Sequence, residues 1–376
     1  MTDNFDDLRP YNDSELPSAL ARIASTQDFE YAAAFVYPNL PVQDVRRLFC
    51  SFTTVQDFQV TVMHDVVRRI IDTSITDLTL SGAEYLKKNE AYVFVSNHRD
   101  IVLDALLLQY LLWTKGLPMF QTTFGSNLMQ IETVNELGRC NRMFRTERNE
   151  DNPRQFFAAM QRLSAYIRHT VTNCGESVWI AQRNGRTKDG NDTTEVALIK
   201  MLGMSGDSGS KAEDYARLHI VPISIAYEWE SCDILKTIEL CRTHRDGHYI
   251  KSPNEDTQSI LTGIQQPKGH VHLSICQPIE AADLASLPQS SKELPAALAQ
   301  LIDHRIRSAY HLMPTNYASH DLQSGASTYA GHYSPALLQQ FQQHLNQIPT
   351  IDNIPAEVLR QQLIDIYATP VDNAAM

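Results

Sequence analysis

The stretch Ser96-Asn97-His98-Arg99-Asp100-Ile101-Val102-Leu103-Asp104 sets one histidine beside two carboxylates. A carboxylate bonded to one ring nitrogen of a histidine fixes the tautomer and leaves the other nitrogen to accept a proton near neutral pH. Asp104 is the expected partner of His98, with Asp100 as the substitute. A Ser or Thr nucleophile nearby would make this a hydrolase, but the chain has no Gly-x-Ser-x-Gly elbow. Gly206-Asp207-Ser208-Gly209 imitates a protease nucleophile loop only superficially, because it lies within the flexible, polar run 203–214. The base is therefore expected to activate a hydroxyl that belongs to the substrate. His98-Arg99-Asp100 also copies the protein-kinase triplet. That reading fails, because Ala105 stands where the catalytic-loop asparagine belongs and neither Asp-Phe-Gly nor a glycine-rich loop is present.

A second constellation, Trp179 to Asp192, carries Arg183, Arg186 and Lys188 around Gly185 and Gly190. Glycine lets the backbone approach a ligand closely. Arg186 offers a planar fork suited to phosphate and Lys188 a point charge. In an acidic chain this turn reads as an anion site. Two further blocks are weaker. Arg142, Arg145 and Arg148, interleaved with Glu147, read alone as a solvated face, and Ile220 to Glu228 reads as a buried strand.

These residues need elements to hold them. Tyr92-Val93-Phe94-Val95 is a short apolar run that predicts a buried strand, and the longer run after Asp104 predicts a helix. His98 thus falls at a strand-to-helix corner, where α/β folds expose reactive side chains. Strands are expected at 91–96, 118–123, 177–182, 219–226 and 271–277, with helices between them, including 103–114 and 153–173. This alternation implies an α/β layered fold, a mixed, mostly parallel sheet flanked by helices. Residues 1–80 read as a helical N-terminal region, in which 55–71 has a core-facing stripe. Residues 81–285 read as the α/β domain. Residues 286–376 read as a helical C-terminal region with a solvated, glutamine-rich face at 338–347.

The chain has 376 residues, 43% of them hydrophobic, which is ample for a large core. A net charge of −12 argues against nucleic acid as a main partner. The six cysteines are scattered with no Cys-x-x-Cys pair and are expected to be reduced core residues in a cytosolic protein. The acidic start, Met1 to Asp7, lacks the features of a signal peptide. Apolar runs are too short to span a bilayer, so membrane contact is expected to be peripheral.

In order and spacing, the four blocks resemble the glycerolipid acyltransferase family, the glycerol-3-phosphate and 1-acyl-glycerol-3-phosphate acyltransferases. That family has an Asn-His-x4-Asp block, a Phe-and-Arg block, a Glu-Gly-x-Arg phosphate block and a Val-Pro strand. Here they fall at 97–104, 144–148, 183–188 and 221–222, and the resemblance covers roughly 75–280. It implies that His98 deprotonates a glycerol hydroxyl that attacks an acyl thioester, while Asp104 orients the imidazole. Arg148, Arg186 and Lys188, with Gly185, would hold the substrate phosphate, and Asn97, Arg183 and Asn184 would adjoin the site. Acyl-CoA or acyl carrier protein would supply the acyl group, to glycerol-3-phosphate or a lysophospholipid. No metal or redox cofactor is called for. The expected location is cytoplasmic, with peripheral contact on the inner face of the membrane.

Two departures stand out. His98 and Asp104 have five residues between them, where the family has four, and one extra residue on a continuous helix turns a side chain by about 100°. The pair can form only if His98 lies in the loop before the helix or the turn bulges. Asn184 replaces the glutamate before the glycine and loses its charge. Two other readings therefore stay open: a non-catalytic lipid or acyl-carrier binding module on the same fold, and an acyl-thioester hydrolase in which water replaces the alcohol.

Overall fold

The computed structural model describes residues 5–125, 132–146, 152–252 and 254–375. Helices α1 (Leu16–Ala24), α2 (Gln27–Val36), α3 (Val42–Phe49), α4 (Val55–Phe58) and α5 (His64–Ser74) lead in, with a π-helical segment Gln59–Met63 joining the last two. The N-terminal helices share a core of their own, with Leu16, Leu20, Phe29, Phe49 and Phe58 buried together.

Seven strands follow: β1 (Ile75–Ser81), β2 (Val93–Ser96), β3 (Phe120–Gly125), β4 (Met143–Thr146), β5 (Ser177–Ala181), β6 (Ile220–Tyr227) and β7 (Gly269–Ile275). They form one sheet in the order β1-β7-β6-β2-β5-β3-β4. Strands β6, β2, β5, β3 and β4 run parallel, while β7 pairs with β6 antiparallel and β1 with β7 parallel. The fold is thus α/β with a mixed, mostly parallel sheet between helices.

Alternation along the strands explains the two layers. Val93, Val95, Val178 and Ile180 face one side, against α8 (Pro153–Thr172), α9 (Val196–Leu202) and, further along the chain, Leu298 and Ile302. Phe94, Trp179, Val221 and Ile223 face the other, against α5 and α6 (Leu103–Thr114). Strands covered on both faces have no polar side to present, which is why they read as continuous apolar runs.

Residues missed by the apolar-run criterion are the two outermost strands. Strand β1 buries only Ile75, its other residues being exposed or half-buried, and β4 is four residues long. Both are edges of the sheet, where one flank has no neighbouring strand. Strand β1 takes up the last residues of the segment read as helical N-terminal region, and β4 takes up part of the arginine block read as a solvated face.

Beyond α7 (Glu132–Cys140), the described elements continue through α8 and α9 to α10 (Lys211–Ala216), α11 (Asp233–Asp246) and α12 (Glu255–Gln265). Then come α13 (Ala281–Ser286), α14 (Leu294–Ser308), α15 (Pro314–Ser324), α16 (Pro335–Leu345) and α17 (Ala356–Ala374). The run 203–214, expected to be flexible, is folded: Lys211 Nζ donates to the Gly203 carbonyl at 2.6 Å and the Ser208 amide to Asp214 at 3.0 Å. In α16 the glutamines Gln339, Gln340, Gln342 and Gln343 face solvent, while Phe341 and Leu345 are buried. All six cysteines are free thiols; Cys50 and Cys174 are exposed rather than in the core. No described helix is long and apolar enough to cross a membrane.

Candidate active site

Helix α6 fixes the geometry. Leu103, Leu106, Leu107, Leu108, Leu111 and Leu112 are all buried in it. Each buried leucine contributes about 1.5–3 kcal/mol, so the helix start is held firmly in place. Asp104 is in the first turn and fully buried, where the positive end of the helix dipole favours a carboxylate.

His98 lies in the loop between β2 and α6, which resolves the five-residue spacing: the two residues do not share a helix. The His98 Nδ1 atom is 2.9 Å from Asp104 Oδ2. The same oxygen accepts the amides of Arg99 at 2.6 Å and Asp100 at 3.0 Å. The other oxygen accepts the Tyr227 hydroxyl at 2.8 Å. An ionised carboxylate only accepts, so Nδ1 carries the proton and Nε2 presents its lone pair. Burial, then the Asp104 and Asp100 charges, pushes the Tyr227 phenol far above its ordinary value, so it remains a neutral donor. The His98 side chain is 14% exposed, and its ring meets Trp179 edge-on with centroids 5.7 Å apart.

Asp100, the substitute orienter, does other work. Its Oδ1 accepts the amides of Val102 and Leu103 at 2.9 and 2.8 Å, satisfying donors at the helix start. Its Oδ2 accepts the Ser231 hydroxyl. Asp100 also packs so tightly on Gly263 of α12 that a Cβ there would overlap its carboxylate. Asn97 closes the strand end: its amide nitrogen donates to the Ile225 carbonyl and its oxygen accepts the Ile225 amide.

The cationic turn follows β5. Gly185 is left-handed, with φ +75° and open space where a side chain would stand. Next to it, Arg186 is buried, with Nη2 donating to Ser259 at 3.2 Å. Its Nη1 has no partner among the described residues, and neither has the buried Nε of Arg183. The turn is tied to His98 directly, because the Thr187 amide donates to the His98 carbonyl at 2.7 Å. Lys188 does not join Arg186 as an open cation; its ammonium is paired with Glu239 of α11. Asn184 is exposed. Arg148 lies outside the described residues.

Several residues around His98 carry no local sign of their place there. Tyr227 ends a block that reads simply as a buried strand. Arg99 is buried and donates to Asp192 at 2.6 Å, with Glu230 at 3.6 Å. Lys236, also buried, donates to the Arg99 carbonyl at 2.7 Å and to Glu230 at 2.6 Å. A surface cleft of about 570 Å³ lies on the outer side of the turn, lined by Asp189, Arg307, Asp365 and Asp372 among others. Its three carboxylates make it a poor anion site, and neither His98 nor Arg186 lines it. Among the described residues, no group of three or more His, Cys, Asp or Glu side chains is arranged to hold a metal ion.

The arrangement can take a proton from an alcohol at Nε2, stabilise the resulting imidazolium through Asp104, and hold an anionic group beside it. The family model described as Acyltransferase matches residues 77–226. Among solved structures, the chain is similar to the crystal structure of the 1-acyl-sn-glycerophosphate (LPA) acyltransferase PlsC from Thermotoga maritima. The identity is 14%, the match covers 76% of this chain and 91% of that one, and the TM-score is 0.39. A search of curated proteins finds no match.

Proposed function

We propose that this chain, whose residues 77–226 match the Acyltransferase family model, is a glycerolipid acyltransferase that moves a fatty acyl group from a thioester to an alcohol that carries a phosphate. The donor is acyl-CoA or acyl carrier protein, and the acceptor is glycerol-3-phosphate or a lysophospholipid such as lysophosphatidate. His98 Nε2 takes the hydroxyl proton as the oxygen attacks the thioester carbonyl. The tetrahedral intermediate then collapses, the C–S bond breaks, and the thiolate leaves with the proton returned from the imidazolium. Asp104 holds the ring and balances its positive charge. Arg186 grips the phosphate, and placing the hydroxyl beside the base converts a bimolecular encounter into a positioned one. The reaction needs no resident metal or redox cofactor.

The observation that carries this reading is the His98–Asp104 pair, with one ring nitrogen committed at 2.9 Å and a half-satisfied guanidinium on the adjoining turn. Because lipid acceptors reside in a bilayer, the protein is expected to work at the cytoplasmic face in peripheral contact. Vesicle co-sedimentation tests that location, and no binding at low salt would point to a soluble acceptor.

The activity test measures thiol release from one acyl-CoA against a panel containing glycerol-3-phosphate and lysophosphatidate. Positioned proton transfer is worth about 10²–10⁴-fold, so His98→Ala should lose that much. Equal rates in the two proteins would remove His98 from the mechanism. Thiol release indifferent to every acceptor would assign a hydrolase instead, and no turnover at all would assign a binding module.

A further inference from the structure

Asp192 closes the cationic turn and is 1% exposed. Three donors converge on its Oδ2: the Asn97 amide at 2.9 Å, the Arg99 guanidinium at 2.6 Å and the Tyr310 hydroxyl at 2.7 Å. Asn97 and Arg99 are the two neighbours of His98 in the chain. The Asp192 carbonyl accepts from Arg307 at 2.9 Å. Burial opposes its charge, but the Arg99 guanidinium and the Tyr310 and Asn97 donors hold the carboxyl below its usual range. Burial likewise opposes the Arg99 charge, and Asp192 and Glu230 more than restore it.

Buried ion pairs are weak devices for stability, since well-packed apolar groups often do as well, but in some proteins they specify geometry. The geometry here is particular. One carboxylate from the segment that carries Arg186 clasps the residues on both sides of the base, and the Thr187 amide holds the His98 carbonyl between them.

We infer that Asp192 is a positioning residue that sets the register between His98 Nε2 and the Arg186 guanidinium. A phosphorylated alcohol gripped by Arg186 then delivers its hydroxyl to the base. This inference rests on the acyl-transfer reading above. Tyr310, which follows α14, extends the clasp into the C-terminal helices.

The test compares acceptors within one protein preparation, so that the fraction of folded enzyme cancels. With one acyl-CoA, kcat/KM is measured for glycerol-3-phosphate against glycerol and for lysophosphatidate against monoacylglycerol. The readout is the advantage conferred by the phosphate. A misplacement of about 1 Å can cost on the order of 10²-fold, so Asp192→Asn should reduce the phosphate advantage by roughly tenfold or more, and Tyr310→Phe by about threefold. If both variants keep the wild-type advantage while all rates fall in parallel, Asp192 is structural only and the inference is overturned. Should Asp192→Asn fail to fold, Tyr310→Phe decides by the same criterion. A wild type that shows no phosphate advantage with either pair overturns the functional reading itself, and this inference with it.

Discussion

Asp104→Asn is the sharpest perturbation of this site, because it removes a charge and keeps a shape. One Asp104 oxygen receives the His98 ring at 2.9 Å and two backbone amides, and the other receives Tyr227 at 2.8 Å. If the asparagine oxygen keeps the three-donor position, its NH2 faces Tyr227, whose hydroxyl can turn to accept. The fold should therefore survive at a cost of about 1–3 kcal/mol, the price of weakened charged-acceptor bonds. Catalysis should suffer more. As His98 takes the proton, an imidazolium forms about 4 Å from the carboxylate charge, and two unit charges at that separation interact by about 4 kcal/mol at an effective dielectric of about 20. At about 1.4 kcal/mol per factor of ten, kcat should fall by roughly 10³-fold. The assay is thiol release under saturating donor and acceptor, with thermal unfolding measured on the same preparation. The companion variant Asp100→Asn should show the reverse balance. Its carboxylate serves the helix start and Ser231, so stability should drop by about 1–3 kcal/mol while kcat changes less than about tenfold. An Asp104→Asn enzyme with kcat within about threefold of wild type would refute the assignment of Asp104 as the group that balances the imidazolium.

Other consequences are equally direct. Arg186→Ala should raise KM for a phosphorylated acceptor by about 10–100-fold with a smaller effect on kcat, since a charge-assisted hydrogen bond is worth about 1.5–3 kcal/mol; an unchanged KM would take Arg186 out of the acceptor site. Lys188→Ala should alter that KM by less than about threefold, because Glu239 already holds the ammonium and little free charge remains to lose; a rise beyond about tenfold would show Lys188 reaching the acceptor. Stability should fall on acidification through His272. Burial, then His311 and His270, lowers its imidazole to about 4, whereas the unfolded chain takes up a proton from about 6.5. The unfolded state then binds more protons, so this contribution is complete above about pH 6.5 and is lost progressively toward pH 4. Urea unfolding at pH 7.5 and 5.0 should show a smaller acid loss in His272→Gln than in wild type, and identical losses would refute the linkage.

What could be read from residue order is what depends on near neighbours. Strands β2, β5 and β6 and helix α6 announce themselves as apolar runs because both faces of each central strand, and most of α6, are covered. The corner that presents His98 follows from two adjacent runs, and Asp104 from its place at the head of the second. Edge strands β1 and β4 escaped because an edge has no continuous apolar signal. The division of labour between Asp104 and Asp100 also could not be read from spacing, since it depends on where the loop ends and the helix begins. Still less could the partners be read. Tyr227 lies 123 residues from Asp104, Tyr310 lies 118 from Asp192, and Glu239 lies 51 from Lys188. Propensity and periodicity are short-range properties of a chain. The pairing of buried charges is decided where loops from distant segments meet over the sheet, so the sequence alone could nominate a candidate base and anion site, and only the tertiary structure could say which carboxylate bonds His98, which cation is already paired, and which buried contacts join the two loops.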